Sequence, residues 1–170
     1  MRFYFINFIL MKTLFKIILP SLLIILAVAS CGPAKIPTGP AGPPRAQFAG
    51  NWTLTGVAFN GLKEEDVPKA FGAIAPKAFI NSTWVFNIDG SGSYTLAQGA
   101  SQNIYWAVNS GDALGAMFTF TNVAKGQTPS NNQAGYQLVI ASSTPTALVL
   151  KSLVYIGNKN GYVVYTFAKQ

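Results

Sequence analysis

The sequence predicts an all-β fold, an eight-stranded antiparallel up-and-down barrel that follows a cleaved signal peptide and a Pro/Gly-rich tether. Three observations predict it. Apolar and polar residues alternate from residue 48 onward, as in Trp84-Val85-Phe86-Asn87-Ile88, which is the period of a strand with one buried face. Turn-forming residues separate these stretches at short intervals. The longest apolar stretch, residues 14–28, lies near the N-terminus and ends just before the single cysteine, Cys31.

The N-terminal residues follow the order of a secretory signal peptide. A basic start from Met11 precedes an apolar core, and small residues lie directly before Cys31. Residues 1–30 are therefore predicted to be removed, with residues 1–10 as an upstream extension if translation starts at Met11. An uncleaved membrane anchor is the alternative, which the short apolar core and Pro20 disfavour.

The tetrad Val28-Ala29-Ser30-Cys31 resembles the bacterial lipobox. The resemblance implies that the chain is cut just before Cys31 and that the Cys31 sulfur carries lipid, so the membrane itself is a predicted partner. Gly32, rather than an acidic residue, follows the cysteine, as in lipoproteins sent to the outer membrane. The expected location is therefore the cell envelope, on the periplasmic face of the outer membrane or on the cell surface.

A proline-rich segment connects Cys31 to the alternating region. Residues 32–45 include five prolines, which exclude a helix or an inner strand and favour an extended polyproline-like spacer. Residues 31–47 are therefore predicted to be a lipidated tether, and residues 48–170 the folded domain.

The strands are placed where the alternation is strongest and where turns interrupt it. Their predicted bounds are 51–59, 83–89, 92–98, 103–109, 115–122, 135–142, 146–156 and 161–168. Short turns join most of them, so sequence neighbours should pair antiparallel, and closing the sheet removes its exposed edges. Two connections are longer, 60–82 and 123–134. The first is predicted to be a short helix or a loop folded over one end of the barrel.

A family resemblance arises at the first strands. Gly50-Asn51-Trp52 opens the first strand, and Gly-x-Trp in this place resembles the lipocalin motif. The segment 82–86, followed by the turn 89–94, is similar to lipocalin-like domains common in lipoproteins of Bacteroidetes-type bacteria. The resemblance covers residues 48–170 and implies that Gly50 and Trp52 lie at the closed base of a lipocalin-like barrel. For Trp52, and likewise for Trp84 and Trp106, the alternative is simple core packing, because large aromatic residues are usually buried for their area alone.

Aromatic residues dominate the positions predicted to face inward. The candidate pocket-lining residues are Trp84, Phe86, Tyr94, Trp106, Phe118, Phe120, Tyr136 and Tyr165. Apolar rings with a few hydroxyl tips are typical of small-molecule pockets. An eight-stranded barrel is either filled by its side chains or holds one small ligand, and alternation alone does not decide between the two. Small residues at Gly56, Ala58, Ala97 and Ala107 are interpreted as room inside.

Composition argues against several function classes. The net charge is +7, but three basic residues lie in the leader and two in the tether, and no basic run follows, so nucleic-acid binding is not expected. Histidine is absent and the single cysteine is at the processing site, so neither a metal site nor an internal disulfide is expected. The acidic run Glu64-Glu65-Asp66 is interpreted as a solvated loop rather than as a general acid/base pair.

The predicted function is non-enzymatic and requires no cofactor. The leading hypothesis is an envelope lipoprotein whose barrel binds a small apolar or amphipathic ligand. The alternative is a binding or assembly module whose barrel is filled and which contacts another envelope protein.

Overall fold

Eight antiparallel strands form a closed, barrel-like sheet in the computed structural model of this chain. The structure describes residues 43–112, 114–127 and 135–170, with the side chains at 110–112 excepted. The strands are β1 (Gly50–Asn60), β2 (Thr83–Phe86), β3 (Ser91–Thr95), β4 (Ser101–Asp112), β5 (Gly115–Val123), β6 (Tyr136–Ser143), β7 (Ala147–Ile156) and β8 (Lys159–Lys169). Each pairs with its sequence neighbours, and β8 returns to pair with β1. The prediction of an all-β fold with eight antiparallel strands is confirmed. The predicted leader, Cys31 and residues 128–134 lie outside the described residues.

The second strand ends earlier than predicted. Residues 87–90 turn the chain, with the Gly90 amide donating to the Asn87 carbonyl at 3.0 Å and Gly90 at a φ of 96°. Ile88, which continues the alternation of Trp84 and Phe86 in the sequence, lies in this turn and is 61% exposed. The alternation in the sequence thus extends to Ile88, but the strand itself ends at Phe86.

A bulge in β1 changes which residues face inward. Leu54 lies opposite Phe167, but the next aligned pair joins Gly56 to Thr166, so Thr55 is the extra residue. Beyond a bulge the two faces of a strand exchange. Val57 and Phe59 therefore pack against the core, while Ala58 is exposed. The predicted room inside at Ala58 is thus wrong, and so is that at Ala97, which is exposed after the end of β3.

The base of the sheet is the end at which β1 begins and β8 finishes. A 3₁₀ helix, Arg45–Gln47, lies across it just before β1. The Arg45 guanidinium donates to the carbonyls of Ile88 and Trp106, and Gln47 Nε2 donates to Ser143 Oγ at 2.8 Å. The last residues of the predicted tether thus pack on the domain. Side chains of the 3₁₀ helix supply hydrogen bonds that hold it there.

The loop end lies opposite the base, where β1 leads into residues 61–82. This connection contains 3₁₀ helices at Glu64–Asp66 and Pro76–Phe79 but no longer helix. Val67, Ala70, Phe71 and Phe79 of the connection are buried in the core. Of the two predicted alternatives, the structure shows the loop folded over one end. In the described part of the chain, no helix is both long and apolar enough to cross a membrane.

Candidate functional site

All eight candidate pocket-lining residues lie in or against the core, and their rings form a continuous network with one part at the base and one toward the loop end, joined through Trp84–Phe86 and Phe118–Phe120. Phe86, Trp106 and Phe118 pack at the base. Their ring centroids are 5.1–5.6 Å apart, with Trp106 stacked on Phe118. Phe48, just before β1, adds a ring 6.4 Å from Phe118. This group fills the lower interior with ring contacts.

Gly50 and Trp52 join the base to the first strand. The buried Trp52 indole donates from Nε1 to the Phe48 carbonyl at 2.8 Å, and Lys169 Nζ lies 5.2 Å from the indole ring centroid. Gly50 has a φ of 127°, and a Cβ there would lie 2.8 Å from Lys169 Cε. The positive φ favours glycine at position 50, and a Cβ there would also push the end of the Lys169 side chain away from its place over the indole.

The part toward the loop end surrounds a residue that the sequence did not single out. The Phe71 ring enters the interior from the 61–82 connection and is 6% exposed. Four candidate pocket-lining residues surround it, with ring centroids at 5.0–6.1 Å. They are Trp84, Phe120, Tyr136 and Tyr165. Phe79 lies 5.2 Å away. We call these five residues the aromatic cage.

A tight turn delivers Phe71 to the cage. The Ala73 amide donates to the Ala70 carbonyl at 3.0 Å, and the Ala70 amide donates to the Ile74 carbonyl at 2.8 Å. Phe71 and Gly72 are both left-handed, with φ values of 51° and 69°. Positive φ at both central residues defines a type I′ turn, which prefers Asn-Gly or Gly-Gly at these positions. A bulky aromatic side chain at the first of them is a conformational outlier.

Packing energy holds Phe71 in this strained conformation. The left-handed conformation costs a non-glycine residue about 1–2 kcal/mol. Each favourable aromatic pair contributes about 0.5–1.5 kcal/mol beyond the burial of area, so the cage contacts together exceed that cost. Gly72 permits the approach, because a Cβ there would lie 2.6 Å from the Tyr136 hydroxyl oxygen. The contacts of the Phe71 ring with the cage therefore stabilise the strained turn.

Tyr94, the remaining candidate, lies beside the cage. Its ring is 4.7 Å from that of Trp84 and 5.5 Å from that of Phe79. Burial raises the pKa of Tyr94, and a smaller contribution comes from Tyr136. Burial also raises the pKa of Tyr165 far above its ordinary value. The interior near the loop end therefore disfavours charge, and both phenols stay neutral across the physiological range.

Two polar side chains border the cage, and only one is fully paired. Buried Ser82 donates from Oγ to the Phe79 carbonyl and accepts from Trp84 Nε1 at 2.8 Å. Asn122 Nδ2 donates to the Phe71 carbonyl across a long 3.5 Å, while Asn122 Oδ1 is buried without a hydrogen-bond partner. Leaving such an atom unpaired costs about 1–3 kcal/mol. Turning the amide over leaves the problem unsolved, because the Phe71 carbonyl can accept a hydrogen bond but cannot donate one.

The acidic residues with described side chains are engaged in local turn structure. Glu64 and Glu65 form exposed ion pairs with Lys77 and Lys63, and Asp66 accepts from the Lys63 amide. Asp89 accepts from the Ser91 hydroxyl and amide, and these hydrogen bonds lower the pKa of Asp89. Within the described ranges, no three such residues are placed to hold a metal ion. These carboxylates stabilise loops.

A shallow groove of about 360 Å³ lies on the outer face of β3 and β4. It is lined mainly by uncharged polar side chains, among them Ser93, Asn103 and Tyr105. A second shallow groove shares Asn103 and Val123 with it. The first groove thus offers hydrogen-bonding groups without charge, whereas Lys125 adds a positive charge to the second.

Searches against protein-family models and curated proteins find no match to this chain. The site is therefore interpreted from its own geometry. Sequence reasoning located the cage residues on the strands but missed Phe71, Phe79, Ser82 and Asn122. The one sequence signal for Phe71 was a Phe-Gly pair between small residues, Ala70 and Ala73, in a connection without strand periodicity.

Proposed function

We propose that this chain is a lipid-anchored protein of the bacterial cell envelope, and that its lipocalin-like barrel binds a small apolar or amphipathic ligand without catalysing a reaction. The closed antiparallel sheet and its aromatic interior support the lipocalin-like assignment. The tetrad ending at Cys31 supports the anchor. Gly32 supports sorting to the outer membrane, on either of its faces.

One observation carries the ligand proposal. At the loop end, strands β2, β5, β6 and β8 supply aromatic walls around a central space, and a loop residue in a strained conformation fills that space. Backbone strain of this kind concentrates at binding and switch sites. The loop end therefore has the composition of a small-ligand pocket, whereas the base is packed throughout by strand residues and Phe48.

The ligand proposal is tested by native mass spectrometry of the full-length protein purified in mild detergent from its own host. A small molecule bound in stoichiometric amount, and lost on unfolding, is the expected result. Protein that repeatedly carries nothing but detergent contradicts the proposal. The same preparation reports the mass of the N-terminal modification.

A second candidate function is a module with a filled interior that contacts another envelope protein. The burial of the rings at the base and of every cage ring except the partly buried Tyr136 favours it. The polar grooves along β3 and β4, the second of which includes Lys125, would then supply the contact surface. Empty protein in the mass spectrum, together with a discrete cross-linked partner in intact cells, would favour this function over ligand binding.

The anchor gives a separate prediction. Replacing Cys31 by serine removes the sulfur that would carry lipid, and one or more acyl chains contribute about 0.8 kcal/mol per buried CH₂. The variant is expected to leave the membrane fraction, while a Ser30→Ala variant remains in it. Fractionation followed by immunoblotting measures this. A Cys31→Ser protein found entirely in membranes contradicts lipid anchoring and points to the uncleaved N-terminal segment.

A further inference from the structure

We infer that the Phe71 ring fills the ligand site when no ligand is bound. The ligand is a neutral molecule that carries a flat apolar group of phenyl size and, next to it, a hydrogen-bond donor that pairs with Asn122 Oδ1. This inference rests on the proposed ligand-binding function and specifies its site and ligand class. Two independent features carry it, the strained turn and the unpaired amide oxygen.

A ligand could displace the turn that carries Phe71. Phe71 belongs to a loop, and its left-handed conformation is kept by the contacts of its ring. The hydrogen bond between the turn and β5 is the long one from Asn122 Nδ2 to the Phe71 carbonyl. A ligand ring that took over the cage contacts would release the turn from its strain. The exchange would leave the strands unchanged.

The far end of the connection is held more firmly. The Asn81 amide donates to the Leu54 carbonyl at 2.8 Å, and the Leu54 amide donates to the Ser82 carbonyl at 3.0 Å. Phe79 is fully buried. Residues 79–82 would therefore stay in place while residues 70–74 move outward, and Phe79 would remain as a wall of the emptied cage.

Asn122 defines the polar part of the ligand. Its Oδ1 is buried and unpaired, and departure of the Phe71 carbonyl would free its Nδ2 as well. A carboxamide side chain with both atoms free pairs best with a neighbouring donor and acceptor. An amide, lactam or similar group next to the apolar ring would satisfy both atoms.

The surroundings select a neutral ligand. The cage is lined by uncharged rings, and burial raises the pKa of Tyr94 and of Tyr165 because the site disfavours the charged phenolate. An ionised ligand would face the same desolvation cost without a charged partner among the cage residues. Carboxylates and ammonium groups are therefore poor candidates.

The test uses three probes on the full-length protein in detergent micelles. Benzamide carries a phenyl ring and a donor–acceptor pair, toluene carries the ring alone, and benzoate is charged. The indole N–H signals of Trp84, Trp52 and Trp106 in nitrogen-15 NMR report on the cage and on the base separately. We expect benzamide to shift the Trp84 signal selectively, with toluene weaker by about tenfold and benzoate without effect.

Two variants test the role of Phe71 and the ligand class separately. In Phe71→Ala the cage is vacant, so benzamide should bind at least about tenfold more tightly than to the unaltered protein. In Asn122→Leu the donor–acceptor pair is lost, so benzamide should fall to the affinity of toluene while toluene is unchanged. Asn122→Leu also removes an unpaired buried oxygen, so it is expected to fold even if Phe71→Ala does not.

Phe118→Ala serves as the matched control, since it opens space of the same size at the base. Probes entering that space should shift the Trp106 signal and should show no preference for benzamide. Equal benzamide affinities in the unaltered protein and Phe71→Ala would overturn the role of Phe71. Equal affinities in the unaltered protein and Asn122→Leu would overturn the ligand class. If a ligand still co-purifies from the host in either case, the proposed function stands and only this inference fails.

Discussion

Replacing Trp84 by alanine is expected to lower the free energy of unfolding by about 3–5 kcal/mol. A domain of this kind has about 5–15 kcal/mol in total, so the loss is a large share. Trp84 is fully buried, and it joins the cage to the lower interior. Its ring centroid lies 4.7–6.2 Å from those of Phe71, Phe79, Phe86, Tyr94, Phe120 and Phe167. The truncation would also remove the donor to Ser82 Oγ.

Denaturant unfolding followed by far-ultraviolet circular dichroism measures the effect. Trp84→Phe keeps a ring in place and is expected to lose much less. Tyr155→Ala, at a side chain that is 72% exposed, should change stability by no more than about 0.5 kcal/mol. A Trp84→Ala protein within about 1 kcal/mol of the unaltered chain would mean that this interior is not close-packed.

Replacing Trp52 by alanine is expected to cost about 3–5 kcal/mol as well, and to release the segment before β1. The fully buried indole fills the base and holds the Phe48 carbonyl through Nε1. It also supports the Lys169 ammonium above its ring. Without it, residues 43–49 lose a principal hydrogen-bonding partner on the sheet.

Limited proteolysis distinguishes this outcome from general unfolding. Cleavage near Arg45 should become fast in Trp52→Ala at temperatures where circular dichroism still reports a folded sheet. Trp52→Phe keeps a ring but loses the hydrogen bond to Phe48. Its free energy of unfolding should fall by about 0.5–1.5 kcal/mol, and the segment before β1 should be destabilised more than the sheet. Unchanged proteolysis near Arg45 would contradict the anchoring role of Trp52.

Much of the fold could be predicted from the sequence because strand periodicity is a local property. Trp84 and Phe86 alternate with Val85, and Val163, Tyr165 and Phe167 do the same at the C-terminus. All five large residues are buried in the structure. The Asn160-Gly161 pair also predicted a hairpin between the last two strands, which is present, but its turn lies at residues 157–158, and Asn160 and Gly161 pair with Tyr155 and Val154 inside the ladder. Local pattern and burial agree wherever a strand is regular.

Irregular backbone accounts for what the sequence did not predict. The bulge at Thr55 exchanges the faces of β1, and its only trace in the sequence is the shift of the large apolar residues from Trp52 and Leu54 to Val57 and Phe59. Phe71 lies in a connection without periodicity, and its burial depends on rings from four different strands. Asn122 looks like an ordinary polar residue in β5 until the turn is placed against it. The burial of Phe71 and the environment of Asn122 both depend on contacts between residues that are far apart in the sequence.

The unfavourable features concentrate at one place. Left-handed Phe71 and the unpaired Asn122 Oδ1 both face the loop end, whereas the base combines stacked rings with satisfied hydrogen bonds. Departures from good local chemistry are expected at functional sites. The two ends of the sheet therefore differ in role, the base providing stability and the loop end providing the proposed site.

The most direct test is a crystal structure of the unaltered protein with benzamide or with a ligand retained from its host. The account predicts the ligand ring within the aromatic cage, the Phe71 ring displaced outward, and a ligand N–H or O–H within hydrogen-bond distance of Asn122 Oδ1. A bound ligand elsewhere, with Phe71 still packed between Phe120 and Tyr165, would contradict it.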